Sequence, residues 1–156
     1  MFGDDMKKIF YLLIISIFLV GCSFNKEMTP ANSTSFSDAL TANSFIVNDN
    51  SGSYAGSSYI IEAYSGNLND VTIEYIKYDS VESAKTVLED HISSFNMLKS
   101  TAAIEKNEVG KNYQKYILIS NNYYMSSIRV DNTLVFCKTS LNNKDVIEKV
   151  YDKLGY

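Results

Sequence analysis

Chemistry in this 156-residue chain would have to come from a small set of side chains. It holds one histidine, His91, two cysteines, Cys22 and Cys137, and one arginine, Arg129. A lone histidine can act as a general base, but a base needs a nucleophile beside it, and no serine or cysteine motif accompanies His91. It stands one position from an apolar helical stripe, which reads as a helix-surface or boundary residue. Zinc would need further His or Cys ligands at suitable spacing. The loop NDNSGS at 48–53 has Asp49 as its only carboxylate, and it lacks the alternating ligands and closing glutamate of a calcium loop. Glycine-rich phosphate cradles do not occur. No metal and no cofactor is expected.

Cys137 ends the apolar run TLVFC and reads as a small buried hydrophobe. A reactive thiol would need exposure and positive neighbours, and only Lys138 is at hand. Glu62 and Glu74 fall on adjoining strand-like segments, both on the more polar side, where they could approach one another. A carboxylate pair of that kind is what an envelope hydrolase would use, together with a sugar-sized cleft lined by aromatics. Two solvated acids on an open sheet face are the plainer outcome.

The composition stands out in tyrosine. Tyr59, Tyr64, Tyr75, Tyr78, Tyr113, Tyr116, Tyr123 and Tyr124 all lie in strand-like segments. If such a strand buries one face, some of these rings must lie on the other, where tyrosine supplies rigid amphipathic contact area. High β-propensity explains the same pattern without any partner. The candidate binding face is Tyr64, Glu74, Tyr78, Tyr123 and Arg129.

The elements that would position these residues follow from periodicity. Phe36, Ala39 and Leu40 recur at helical spacing behind Ser35 as N-cap, and Phe45 to Val47 form a short extended piece. SYIIEAY (58–64) and VTIEYIKY (71–78) form a hairpin across SGNLND, with Val71, Ile73 and Tyr75 on the core side. Asp79 or Ser80 caps the longest helix, whose Val81, Ala84, Leu88, Ile92 and Phe95 make one stripe ending near Lys99. Residues 100–111 read as loop or an extra helical turn. NYQKYILIS, YYMSSIRV and TLVFCKT form a meander across turns at Asn121-Asn122 and Asp131-Asn132. A last helix runs to Leu154, with Val146, Ile147, Val150 and Leu154 inward and Gly155 as its C-cap. The expected fold is α+β: an antiparallel sheet of about five strands with helices mainly on one face, in the order α-ββ-α-βββ-α.

The N-terminus answers where such a domain works. Lys7 and Lys8 precede an apolar run from Ile9 to Val20, the length of a signal-peptide core and too short to span a bilayer comfortably. Leu19, Val20, Gly21 and Cys22 close it in place of the small-residue site of an ordinary secretory signal. This resembles the lipobox of bacterial lipoproteins. The resemblance implies recognition of Leu19 to Gly21, cleavage of residues 1–21, and a diacylglyceryl thioether on Cys22 as the new N-terminus. The acidic FGDD ahead of the lysines makes Met6 the expected start. Two acyl chains make attachment effectively permanent. Residues 22–34 read as a lipidated tether with a root-mean-square reach of roughly 20 Å, and residues 35–156 as one globular domain. From the lipobox to the terminal LGY, the pattern resembles small lipoproteins of low-GC Gram-positive bacteria, a likeness that brings no activity with it.

Charge and size limit the partners. The net charge is -4, and residues 1–21 contain two lysines and two aspartates, so the remainder also carries -4. Mild acidity with one arginine argues against nucleic acid. With Cys22 acylated, Cys137 has no disulfide partner. A chain of this length buries about two thirds of its unfolded surface, but it is short for a two-lobed transporter binding protein. The expected role is a non-catalytic, extracytoplasmic binding domain on the cell membrane, with an envelope protein as its partner. The alternatives are a cell-envelope hydrolase and an accessory lipoprotein that binds a small ligand.

Overall fold

The computed structural model describes residues 26–156. The signal segment, the lipobox positions Leu19, Val20 and Gly21, and Cys22 lie outside the described residues. Seven antiparallel strands form one sheet in the order β1-β2-β3-β7-β6-β5-β4. They are β1 (Ile46–Asp49), β2 (Ile60–Leu68), β3 (Val71–Tyr78), β4 (Ile104–Val109), β5 (Tyr113–Ser120), β6 (Tyr123–Val130) and β7 (Thr133–Ser140). Helix α1 (Ser33–Ala42) precedes β1, α2 (Val81–Asn96) joins β3 to β4, and α3 (Lys144–Leu154) closes the chain.

This corrects the five-strand expectation in two respects. Both added strands are edges: β1 has four residues and β4 is exposed at all six positions. Neither carries an apolar alternation, because backbone pairing with β2 and β5 rather than burial holds it in place. The helices also cover both faces. Alternation sends Ile73 and Tyr75 of β3 to the face under α1 and α3, with Val135 and Cys137 of β7. Ile76 and Tyr78 point the other way and pack with Ala84 and Leu88 of α2. Farther along, Phe95 of α2 meets Tyr116, Leu118 and Met125. The face expected to be polar is therefore a second core.

Local chemistry fixes the ends of the elements. Asn32, not Ser35, caps α1: its side chain accepts from the Ser35 N–H at 2.8 Å, and the Ser35 hydroxyl accepts from the Asn32 N–H at 2.9 Å. Ser80 caps α2 through the Ser83 N–H, 3.1 Å away. Gly155 ends α3 at φ 80°, the left-handed conformation that glycine adopts without strain. Strand β2 runs on to Leu68, so its turn is the tight Asn69-Asp70 pair, with Asn69 at φ 52°. Within it, Gly66 lies under Leu40, whose Cδ2 would be 2.5 Å from any added Cβ. That close approach seats α1 on the sheet.

Order begins earlier than the expected tether boundary. Lys26 accepts a hydrogen bond from the Lys111 N–H at 3.0 Å. Asn112 then holds Met28 by both backbone groups, accepting from its N–H at 3.0 Å and donating to its carbonyl at 2.9 Å. The Ala31 N–H donates to the Tyr156 hydroxyl at 2.7 Å, and Met28 and Ala31 are both buried. Residues 26–31 are thus a strap laid on the fold. The terminal Tyr156 is packed beneath it.

Candidate functional site

The paired carboxylates are not a pair. Glu62 stands opposite Lys77 in the β2–β3 ladder and forms an ion pair with it at 3.2 Å. Glu74 stands opposite Ser65, and the parity of β3 puts it on the α2 face, whereas Glu62 shares the α1/α3 face with Tyr64 and Tyr75. The sheet itself separates them. Glu74 is half-buried with no hydrogen-bond or ion-pair partner among the described residues, and burial raises its carboxyl above the ordinary value.

His91 faces the sheet. Its Nδ1 is 3.0 Å from the Ser127 hydroxyl, and its ring lies 4.4 Å from that of Phe136. Burial lowers the imidazole below its usual value, partly opposed by the charge of Asp90. Such a group is held neutral in a boundary position. Cys137 is buried, and its thiol is pushed up to about 12 by burial and by the Glu74 charge. A thiol in that state is not a nucleophile. At the Asp49 loop the carboxylate accepts the Ser51 N–H at 2.9 Å, closing the turn on itself. Among the described residues no three His, Cys, Asp or Glu side chains converge as metal ligands.

The five residues of the candidate face are dispersed. Tyr64 lies on the α1/α3 face, while Glu74, Tyr78, Tyr123 and Arg129 share the α2 face. Tyr78 is buried there beneath α2, and Arg129 is buried with its Nη1 donating to the carbonyls of Asn112 at 3.2 Å and Asp131 at 3.0 Å. Burial lowers the Arg129 guanidinium, and its Nε has no partner among the described residues. Only Tyr123 of the five is well exposed, at 46%. Lys138 lies over its ring, 5.4 Å from the centroid, an arrangement worth about 0.5–1 kcal/mol at the surface. Tyr75, Tyr113 and Tyr124 are buried under α1 and α3, and Tyr116 is buried under α2, so the helices on the two faces cover the rings that were expected to be surplus.

Exposed apolar surface gathers around Tyr123 instead. Met97, 80% exposed, and Leu98 follow the end of α2. The Leu98 carbonyl accepts from the Ser120 hydroxyl at 2.9 Å and from Asn121 at 3.0 Å, which fixes this corner beside the β5–β6 turn and the start of β6. Met97, Leu98 and Tyr123 with Lys138 form an amphipathic corner of the kind used for protein contact. Sequence periodicity placed Met97 and Leu98 inside the long helix, so the corner had no signature there. No helix among the described residues is long and apolar enough to cross a membrane.

No family model matches this chain, and no curated protein matches it. The solved structure of a GTP-binding regulator from Thermotoga maritima is similar at a TM-score of 0.47 and 14% identity, over 81% of this chain and 91% of that one. A likeness this distant transfers no residue role and no activity to the present chain.

Proposed function

We propose that this chain is a lipid-anchored, extracytoplasmic binding domain, attached through Cys22 to the cell membrane and free of catalysis of its own. The observation that carries the reading is the sequence Leu19-Val20-Gly21-Cys22 at the end of a twelve-residue apolar run behind two lysines. Two structural features support the binding role. Glu62, His91 and Cys137 are each engaged or shielded, and Glu74 has no second carboxylate beside it. The exposed apolar side chains Met97, Leu98 and Tyr123 sit at the sheet end remote from Lys26, where an envelope protein can reach them.

Fractionation of cells fed labelled palmitate tests the anchor. The wild-type protein should carry label and sediment with membranes, whereas Cys22→Ser should be unlabelled and leave the membrane fraction. Unlabelled wild-type protein in the soluble fraction would refute the anchor. Cross-linking from Tyr123 and Met97 tests the partner: one envelope protein should be captured by wild type and lost in Met97→Ser/Tyr123→Ser, and an unchanged yield would count against this corner.

A further inference from the structure

Four peptide links separate Cys22 from Lys26, the first residue of the strap. Fully extended, they span at most about 14 Å, at 3.3–3.6 Å per residue. The Lys26 carbonyl is bonded to the Lys111 N–H, and Asn112 grips Met28 by two hydrogen bonds. Gly110 shows how closely the strap lies on the fold, since a Cβ there would come within 2.6 Å of the Lys26 oxygen. A chain anchored at Cys22 therefore has no dozen-residue coil on which to wander. It enters the domain at one fixed corner, where β4 turns into β5.

We infer that this corner, marked by Lys26 and Lys111, is the membrane-facing surface of the domain, held within about 14 Å of the lipid headgroups, and that the Ile46 corner points away. The inference rests on the acylation of Cys22 proposed above. Ile46 pairs with Asn67 at the far end of β1, which is the opposite edge strand of the seven. Strand spacing and rise put it roughly 35 Å from Lys111 across the sheet diagonal. The link bounds the depth of the Lys111 corner directly, whereas Ile46 approaches the bilayer only if the whole domain lies over on its side.

Charge at the inner corner suits a passive lipid contact. Lys26 pairs with Glu108 at 3.7 Å and Lys111 with Glu27 at 2.5 Å, leaving the corner neutral. A neutral corner is neither drawn to nor repelled by anionic lipid, so the covalent link, not electrostatics, sets the orientation. Met97, Leu98 and Tyr123 stand at the other end of the strands, one strand length farther from the bilayer.

The test uses the full-length protein purified from membranes and reconstituted in phosphatidylcholine/phosphatidylglycerol vesicles that carry headgroup nitroxides. A thiol-reactive fluorophore is placed at Lys111→Cys in one variant and Ile46→Cys in another; both sites are exposed, and the buried Cys137 does not compete. The expected result is quenching at position 111 at least threefold stronger than at position 46, unchanged in 0.5 M salt. Equal quenching, or stronger quenching at 46, in protein whose mass includes the acyl chains overturns the orientation alone. A mass without acyl chains overturns the anchor and the orientation with it.

Discussion

Replacing Asn112 by alanine removes three hydrogen bonds at one point. Its side chain donates to the Met28 carbonyl at 2.9 Å and to Asp131 at 3.1 Å, and accepts from the Met28 N–H at 3.0 Å. Each neutral bond is worth about 1 kcal/mol net, and a half-buried bond to a carboxylate contributes somewhat more, so the loss comes to about 2–4 kcal/mol. The upper end includes part of the burial of Met28, whose backbone has no other hydrogen-bond partner among the described residues. In urea, with a slope of about 1–3 kcal/mol/M for a domain of this size, the midpoint should fall by roughly 1–2 M. Hydrogen exchange supplies the local readout: the Met28 and Lys111 amides should lose protection while those of β6 and β7 keep theirs. Gly110→Ala attacks the same strap from below, through clashes with the Tyr113 ring and the Lys26 carbonyl, and should likewise strip protection from the Met28 and Lys111 amides. An Asn112→Ala protein with an unshifted midpoint and protected Met28 would refute the strap.

Three further predictions concern the buried titratable groups. The His91 imidazole is lowered by burial, so the folded protein binds this proton less readily than the unfolded chain does. Its contribution to stability is whole above the ordinary value of 6.5 and is lost as pH falls below it, until the depressed folded value is reached. Urea midpoints measured from pH 7.5 to 5 should decline in that window and decline less in His91→Gln, and equal slopes would contradict this. Glu74 has the opposite sign: its raised folded value makes ionisation costly at neutral pH, a cost relieved as pH falls toward 4.5. Glu74→Gln should therefore be more stable than wild type at pH 7 and no more stable below pH 4.5, and a lower melting temperature at pH 7 would count against it. Cys137, with its thiol pushed up to about 12, should resist a disulfide reagent in the folded protein at pH 8 and react fully in urea; reaction at the rate of a free thiol without denaturant would show the core to be open there.

Much of the central sheet was legible because its strands alternate and its turns use residues that tolerate positive φ. Asn121, Asn122 and Asp131 occupy that region at 51°, 64° and 50°, as the expected hairpin turns require. Ser80, the buried positions Ala84, Leu88 and Phe95 of the α2 stripe and the Gly155 cap were readable because their signals are local, whereas Val81 at the head of that stripe is exposed. What was not legible depends on contacts distant in sequence. Strand β4, IEKNEV, carries apolar residues only at its ends and owes its form to pairing with β5. Tyr78 and Tyr116 looked like spare rings for a binding face, and they are buried because α2 crosses the sheet on that side. Glu62 and Glu74 fell together only while the offset of β2 against β3 was unknown; the two-residue Asn69-Asp70 turn sets Leu68 opposite Val71, a register that pairs Glu62 with Lys77 and Glu74 with Ser65 on opposite faces. The strap was hidden for a similar reason. Nothing in KEMTPA announces that Asn112, more than eighty positions later, will hold it.

The proposed anchor at Cys22 links the sequence to the geometry, since the short link to Lys26, the proposed inward corner and the proposed outward Met97 cluster all depend on it. Intact-mass and N-terminal peptide mass spectrometry of protein extracted from membranes tests it most directly. The expected result is a chain beginning at Cys22 with a diacylglyceryl group on its sulfur and a mass that drops by that group in no other peptide. A chain that keeps residues 1–21, or begins elsewhere with an unmodified Cys22, would contradict it.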